Sequence, residues 1–362
     1  MTTAEELVER MLTEAVAALE TLGVCLGVRL GLYEALAGGP LDAHGLAEKA
    51  GVHPRYAREW LEQQGSAGWL AVADEGAGDP YARTFRLPDE VHEVLIDQDS
   101  AFYAGTLPGF VASVAGVVDQ VADAFRTGGG VPFSAYGAGT RHGIGRLNRP
   151  MFLRSIAGWI DALPDVSARL AESARLVEDA AHVLDLGCGT GWSTIAIAEA
   201  FPAARVHGVD LDEASVIEAR ENAVSRGVAD RVAFFHADAA AFDPGGARYD
   251  LACVFESLHD MADPIGVLRN VRHVLVPGGS VLIGDERVAD AYATPGGLLE
   301  RLNYGFSTLH CLPATRAEGA KVEAGTVLRS PTVGEYAVAA GYASFKEAPI
   351  DHDLWRFYHL TA

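Results

Sequence analysis

The stretch Val183-Leu184-Asp185-Leu186-Gly187-Cys188-Gly189-Thr190-Gly191 decides the fold. A short apolar run enters a turn with three glycines, and a helical pattern starts near Trp192. Strand, tight glycine turn and helix open a βαβ unit. Working outward, similar apolar runs recur in ARVHGVDLD (204–212), RVAFFHAD (231–238), YDLACVFES (249–257) and GSVLIGDE (279–286). Helical stretches separate them. This alternation predicts an α/β domain over 176–362, built on a Rossmann-like, doubly wound parallel sheet. A closing strand pair is expected in ASFKEAPI (343–350) and LWRFYHLTA (354–362).

The same stretch carries the ligand reading. Asp210 follows Gly191 by 19 residues, at the end of the next apolar run. A carboxylate there accepts from both hydroxyls of a ribose. Dinucleotide sites use G-x-G-x-x-G, and phosphate loops place a Lys after the glycines. Here the spacing is G-x-G-x-G after Asp185, with no Lys. By sign of charge, a nearby carboxylate suits an ammonium and a sulfonium better than a phosphate. The expected cofactor is S-adenosylmethionine rather than NAD.

Upstream the pattern differs. Residues 1–37 are rich in Ala, Leu and Glu, and two helices broken around Gly23 to Gly31 are expected. LDAHGLAEKAGVHPRYAREWLEQQGSAGWLAV (41–72) reads as helix, glycine turn at Gly51, and a second helix from about Pro54 to Gly65. WLAV and YARTFRL, separated by DEGAGDP, read as a two-stranded wing. A winged-helix and dimerisation domain is therefore expected over 1–100. A helical linker and substrate lid is expected over 101–175, with GGGVPFSAYG as an aromatic loop at Phe133 and Tyr136. A solvent linker is the alternative for that loop, and core packing the alternative for the Met151, Ile156, Trp159 stripe.

Composition excludes several classes. The 362 residues include 28 Lys+Arg against 49 Asp+Glu, a net charge of −21. Nucleic acid and anionic membranes need the opposite sign. Residues 1–100 hold 7 Arg and Lys against 18 Asp and Glu, so the helix–turn–helix pattern lacks the basic face of a DNA reader. No apolar run of ~18–20 residues is read as a membrane span, and the acidic start is unlike a secretory signal. The four cysteines, Cys25, Cys188, Cys253 and Cys311, form no CxxC. They read as free thiols in a reducing compartment, and a cytoplasmic location follows as an expectation. No metal site is expected.

With these residues in view, the segment resembles the class I S-adenosylmethionine-dependent methyltransferases. Phe255-Glu256-Ser257-Leu258-His259-Asp260-Met261 with the following VLRNVRHVLVPGGSVLIGDE is similar to the LHDW and PGG block of the winged-helix small-molecule O-methyltransferases. VPFSAYG and LNRPM resemble that group's aromatic loop and F-N-x-x-M helix. The resemblance implies that Gly187, Gly189 and Gly191 lie along the cofactor with Asp185 and Phe255. It implies that Asp210 holds the ribose, Leu211 covers the adenine, and Asp238 with Ala239 meets the adenine amine. A helix N-cap is the alternative for Asp238. It also implies a homodimer.

The chemistry expected of such a site is in-line methyl transfer. A phenol ionises near pH ~10, so a base helps at neutral pH. His259 suits that task, and the resemblance gives its position as the general base; a capping or core role is the alternative. Relatives orient this imidazole with two carboxylates. Asp285 or Glu286 is expected to supply one, and Glu256 to substitute for the other, because Ser330 stands near the second position. Phe255 replaces a basic residue common in the family. Tyr136, Met151, Trp159, Asn303 and His310 are the substrate-contact candidates, with ordinary packing as their alternative. Two other functions stay open: an enzyme that retains the cofactor's methyl group and performs decarboxylation, hydroxylation or ring formation, and a DNA-binding regulator.

Overall fold

A computed structural model describes residues 3–172 and 180–361. The chain divides into two compact units, one of Met1–Gly116 with His142–Pro150, the other of Val117–Arg141 with Met151–Ala362. The stretch 101–175 is thus no unit of its own, in contrast to the three-part division expected above. Its parts are divided between the two units, and the helix Ala138–Asp161 itself contributes His142–Pro150 to the first and the residues from Met151 to the second. The expected boundary at 175 lies outside the described residues.

The first unit begins with α1 (Ala4–Arg29), closed at its start by a capping box in which the Thr3 hydroxyl accepts from the Glu6 amide. Where two helices were expected, α1 runs unbroken through Gly23 and Gly27. These glycines permit close approach rather than a bend. A Cβ on Gly27 would stand 2.4 Å from the Tyr33 ring and 2.5 Å from Trp60, and the Trp60 indole donates to the Gly23 carbonyl at 2.9 Å. The chain turns only at Gly31, with φ +66°. After α2 (Leu32–Leu36) come α3 (Ala43–Ala50) and α4 (Pro54–Ser66), then the antiparallel ribbon of β1 (Ala71–Asp74) and β2 (Thr84–Arg86). Asp42 caps α3 and Gly51 ends it in the left-handed region. Tyr33, Leu46, Leu61 and Phe85 are buried together. On α4, Arg55 pairs with Glu59 and Arg58 with Glu62.

The outer face of α1 is apolar. Val8, Met11, Leu12, Leu19, Leu22 and Leu26 are exposed. From Met11 to Val28 only Glu14 and Glu20 are charged. By length and composition α1 could therefore cross a membrane, the one such helix among the described residues, which corrects the expectation that no stretch reaches that threshold.

The second unit is a seven-stranded sheet of order β5-β4-β3-β6-β7-β9-β8. Its strands are β3 (His182–Leu186), β4 (Arg205–Asp210), β5 (Val232–His236), β6 (Tyr249–Phe255), β7 (Leu275–Glu286), β8 (Ser344–Glu347) and β9 (Trp355–Thr361). β3 to β7 run parallel, and β9 and β8 close the edge antiparallel. Both faces are covered, as a parallel sheet requires. One core holds Ile195, Ala219, Trp159, Trp355 and Phe357, the other Val267, Leu268, Val271, Ala337 and Tyr342. Strand order reverses at β3, between β4 and β6, so the carboxyl ends of these strands form the switch point where ligands bind in doubly wound sheets.

Candidate active site

Four turns meet at that switch point. The turn after β3 is built by Gly187, Gly189 and Gly191, with φ of +66°, +51° and +84°. Gly187 is also a contact: a Cβ there would stand 2.5 Å from that of Ser257, so only glycine lets this turn touch the one after β6. Ser257 fixes the contact by donating to the Leu186 carbonyl at 3.0 Å. A Cβ on Gly189, in contrast, would meet nothing within 4 Å. That open side is the surface available to a ligand.

Asp210 ends β4. Its carboxylate accepts from the Gly189 amide at 2.7 Å and the Asp212 amide at 2.8 Å, so the glycine turn and the acid are one assembly. Burial raises its pKa above the ordinary carboxylate value, and the two amides oppose the rise. Leu211 beside it is 48% exposed. Asp238 is exposed after β5 and accepts from the Ala240 amide at 2.8 Å. This is a local turn, not the helix cap considered as its alternative. Ala239 is partly buried, and its carbonyl accepts from Asn270 at 3.0 Å.

Asp185 requires a correction. It is buried, and one carboxylate oxygen accepts from both the Ser193 and the Thr194 hydroxyl at 2.6 Å. Burial pushes its carboxyl up to about 6. Those bonds tie β3 to the start of the helix Trp192–Ala200, so Asp185 holds the turn in place instead of facing a ligand. Phe255 and Trp159 also change role. Both are buried in one aromatic cluster, with Trp159 4.8 Å from Phe357 and Phe255 stacked on Trp355 at 6.3 Å. Met151 is partly buried against the same core.

The turn Leu258–Asp260 after β6 places His259, which is 2% exposed. Its Nδ1 lies 2.6 Å from Asp285 Oδ1, and its Nε2 lies 3.5 Å from Asp260 Oδ1. Burial opposes charge on the ring. The Asp285 and Asp260 carboxylates, with hydrogen bonds to Asp285 and Cys311, outweigh it and raise the imidazole well above its usual value. The parallel register of β6 with β7 pairs Phe255 with Gly284, which sets Asp285 next to the turn. Of the two acids expected at this strand end, Asp285 is therefore the histidine's partner. Glu286, the next strand residue, faces the opposite side of the strand, and no hydrogen bond from it to His259 is seen among the described residues. Burial and the neighbouring Glu256 carboxyl, to which it is hydrogen bonded, push Glu286 up to about 9. His259 opposes that rise, while the hydrogen-bonding partner of the ring is Asp285. Glu256 also adopts φ +51°, a strained value for a residue with a Cβ.

Tyr136 and His310, two of the substrate-contact candidates, lie together. Their rings lie 4.5 Å apart, and the Tyr136 hydroxyl donates to the Leu309 carbonyl at 2.8 Å. Phe133 meets His310 edge-on at 5.7 Å. Burial lowers the His310 pKa. Asn303 is buried one to two helical turns earlier, and its side-chain N–H2 group has no partner among the described residues. Such a donor is suited to a substrate oxygen.

Three residues escaped the sequence reading. Asp260 adjoins His259 and could have been found from that adjacency. Cys311 reaches the histidine through the wide π-turn Ser307–Cys311, which no spacing rule announces. Glu318 is reached by solvent, yet crowding by neighbouring atoms, with Asp260, Asp210 and Asp238 as like charges, pushes it up to about 7. Four carboxyl groups therefore converge on the strand ends, an arrangement that favours a cationic ligand.

Comparison with known proteins agrees with this geometry. Residues 183–279 match the family model described as a methyltransferase domain. Over 104 residues the chain is 39% identical to 27-O-demethylrifamycin SV methyltransferase of Amycolatopsis mediterranei, covering 29% of this chain and 38% of that protein. It is 33% identical over 129 residues to erythromycin 3''-O-methyltransferase of Saccharopolyspora erythraea, covering 36% and 42%. The chain thus spans less than half the length of these curated relatives. Among solved structures, an O-methyltransferase-like protein of Nostoc punctiforme superposes with a TM-score of 0.71 at 19% identity, over 99% of both chains. Human N-acetylserotonin methyltransferase in complex with SAM gives 0.69 at 18%, over 100% of this chain and 99% of that one. Residues 183–279 are thus similar to a methyltransferase domain, and the chain as a whole shares its fold with these solved methyltransferase structures.

Proposed function

We propose that this protein transfers a methyl group from S-adenosylmethionine to a hydroxyl of a small, aromatic metabolite. The observation that carries the proposal is the buried His259–Asp285 pair, set at the same strand ends as the Gly189–Asp210 assembly. The cofactor, when bound, supplies an electrophilic methyl on a positively charged sulfur. The open side of Gly189, the Asp210 carboxylate, exposed Leu211 and the surrounding acids fit such a molecule.

This chain's residues then have distinct tasks. Asp285 holds the His259 ring by its Nδ1–H, and in the neutral form of the ring, which the raised pKa moves to more alkaline pH, Nε2 takes the proton of an acceptor hydroxyl. Asp260 steadies the resulting imidazolium from the other side. Burial excludes water, so the aligned acceptor meets little competition. Tyr136, His310 and Asn303 contact the acceptor. The relatives named above are all methyltransferases, which favours transfer over a cofactor-retaining reaction. Incubation with methyl-deuterated cofactor and a panel of phenolic acceptors tests this. Appearance of label in product supports it, while product formed with the cofactor's methyl intact favours the alternative.

The same reading covers the partners. The exposed apolar face of α1 fits a second copy of the chain, so a homodimer is proposed. The α4 arginines are paired with glutamates and the unit is acidic, which speaks against a DNA regulator. The buried free thiols suit a cytoplasmic enzyme without membrane attachment. Light scattering tests the dimer, and flotation with vesicles tests the membrane alternative for α1.

A further inference from the structure

The turn that carries His259 also assembles a second set of donors. His259 Nε2 or Nδ1, an Asp260 carboxylate oxygen and Cys311 Sγ include one atom from each residue lying within 4.8 Å of the others. The Nε2 to Asp260 Oδ1 edge is 3.5 Å. Asp260 Oδ1 is sealed from solvent and has no hydrogen-bond partner among the described residues. His259 Nε2 is the polar atom that faces it, at a distance longer than a good hydrogen bond. His259 and Cys311 are themselves buried.

The chemistry of the set is specific. One imidazole nitrogen, one sulfur and one carboxylate oxygen are the donors of a borderline-soft, four-coordinate ion. With bonds of ~2.0–2.3 Å, tetrahedral ligands stand roughly 3.3–3.6 Å apart. The nitrogen–oxygen edge already meets this, and the sulfur, within 4.8 Å, needs a contraction of at most about 1.3 Å. Asp285 on Nδ1 is the supporting carboxylate that metal-bound histidines carry. Three protein donors leave the fourth position open. The two segments are more than fifty residues apart, whereas the expectation of no metal rested on the absence of a CxxC and of an Asp and Asn partner set for Asp285.

We propose that His259, Asp260 and Cys311 form a binding site for a zinc-type divalent cation, and that the bound ion occupies the proton-accepting nitrogen and so inhibits the enzyme. Coordination releases the Cys311 thiol proton and any Nε2 proton to solvent, leaving thiolate and neutral imidazole on the ion. The binding half stands on the donor geometry alone. The inhibitory half rests on the reading of His259 as the base.

The test uses the full chain, freed of metal and without cofactor, titrated with Co2+. One equivalent should produce a sulfur-to-cobalt charge-transfer band and the visible bands of a four-coordinate ion, displaced by Zn2+. Cys311→Ser should abolish the charge-transfer band. Asp285→Asn should weaken cobalt binding by about 10–100-fold, the usual effect of losing a supporting carboxylate. Circular dichroism and calorimetry with S-adenosylmethionine check that each variant is folded. No charge-transfer band in the unsubstituted protein, or a band that survives Cys311→Ser, overturns the site. A folded protein that binds the cofactor but not cobalt loses this proposal and keeps the functional one. Methyl transfer that persists at saturating Zn2+ overturns the inhibition.

Discussion

Asp285→Asn is the most informative perturbation, because it removes one charge and almost no volume from a buried site. In the native protein Asp285 Oδ1 receives His259 at 2.6 Å and the Glu286 amide at 2.8 Å. Both side chains of the pair are 3% exposed or less, so solvent screens the interaction little. A hydrogen bond to a charged group contributes about 1.5–3 kcal/mol, against about 0.5–1.5 for a neutral one. The sign of the pH effect follows from the raised His259 pKa. Its stabilising contribution is fully present below the unfolded value of about 6.5 and fades as pH rises through the folded value. The variant should therefore lose more stability at pH 6 than at pH 9. A loss of about 2 kcal/mol at pH 6 corresponds to a fall in Tm of about 4–8 °C for a unit of this size. Calorimetric melting at the two pH values reads this, and histidine NMR should show His259 titrating at lower pH in the variant. An equal loss at both pH values, or an unshifted His259 titration, refutes the reasoning.

Other predictions follow from the same site. His259→Ala should lower methyl transfer by about 100-fold or more, the usual contribution of a general base, with cofactor affinity retained by calorimetry; retained turnover removes His259 as the base. Asp210→Asn should weaken cofactor binding by roughly 10-fold or more through loss of a charged acceptor, with circular dichroism unchanged. Gly187→Ala should lower the urea midpoint, because the new Cβ meets Ser257 at 2.5 Å and the backbone keeps φ +66°; an unchanged midpoint means the two turns separate freely. Leu12→Glu with Leu19→Glu on α1 should convert a dimer to a monomer in light scattering.

The parallel sheet was legible because buried strands read as continuous apolar runs, and the Gly187–Gly191 turn fixes where β3 ends. Asp210 was legible from its distance to that turn. The length of α1 was not, since Gly23 and Gly27 look like breaks until Tyr33 and Trp60 are seen against them. Asp185 and Phe255 sit in motif positions, and only hydrogen bonds and ring contacts reveal that they brace the site from behind. Choosing Asp285 over Glu286 required the β6–β7 register. Cys311 depended on a wide helical turn that has no sequence signal.

Isothermal calorimetry of the folded full chain with S-adenosylmethionine addresses the central claim most directly. The account predicts saturable binding at one site per chain that is markedly weakened in Asp210→Asn. No binding heat across several temperatures, with the melting temperature also unmoved by saturating ligand, would contradict it.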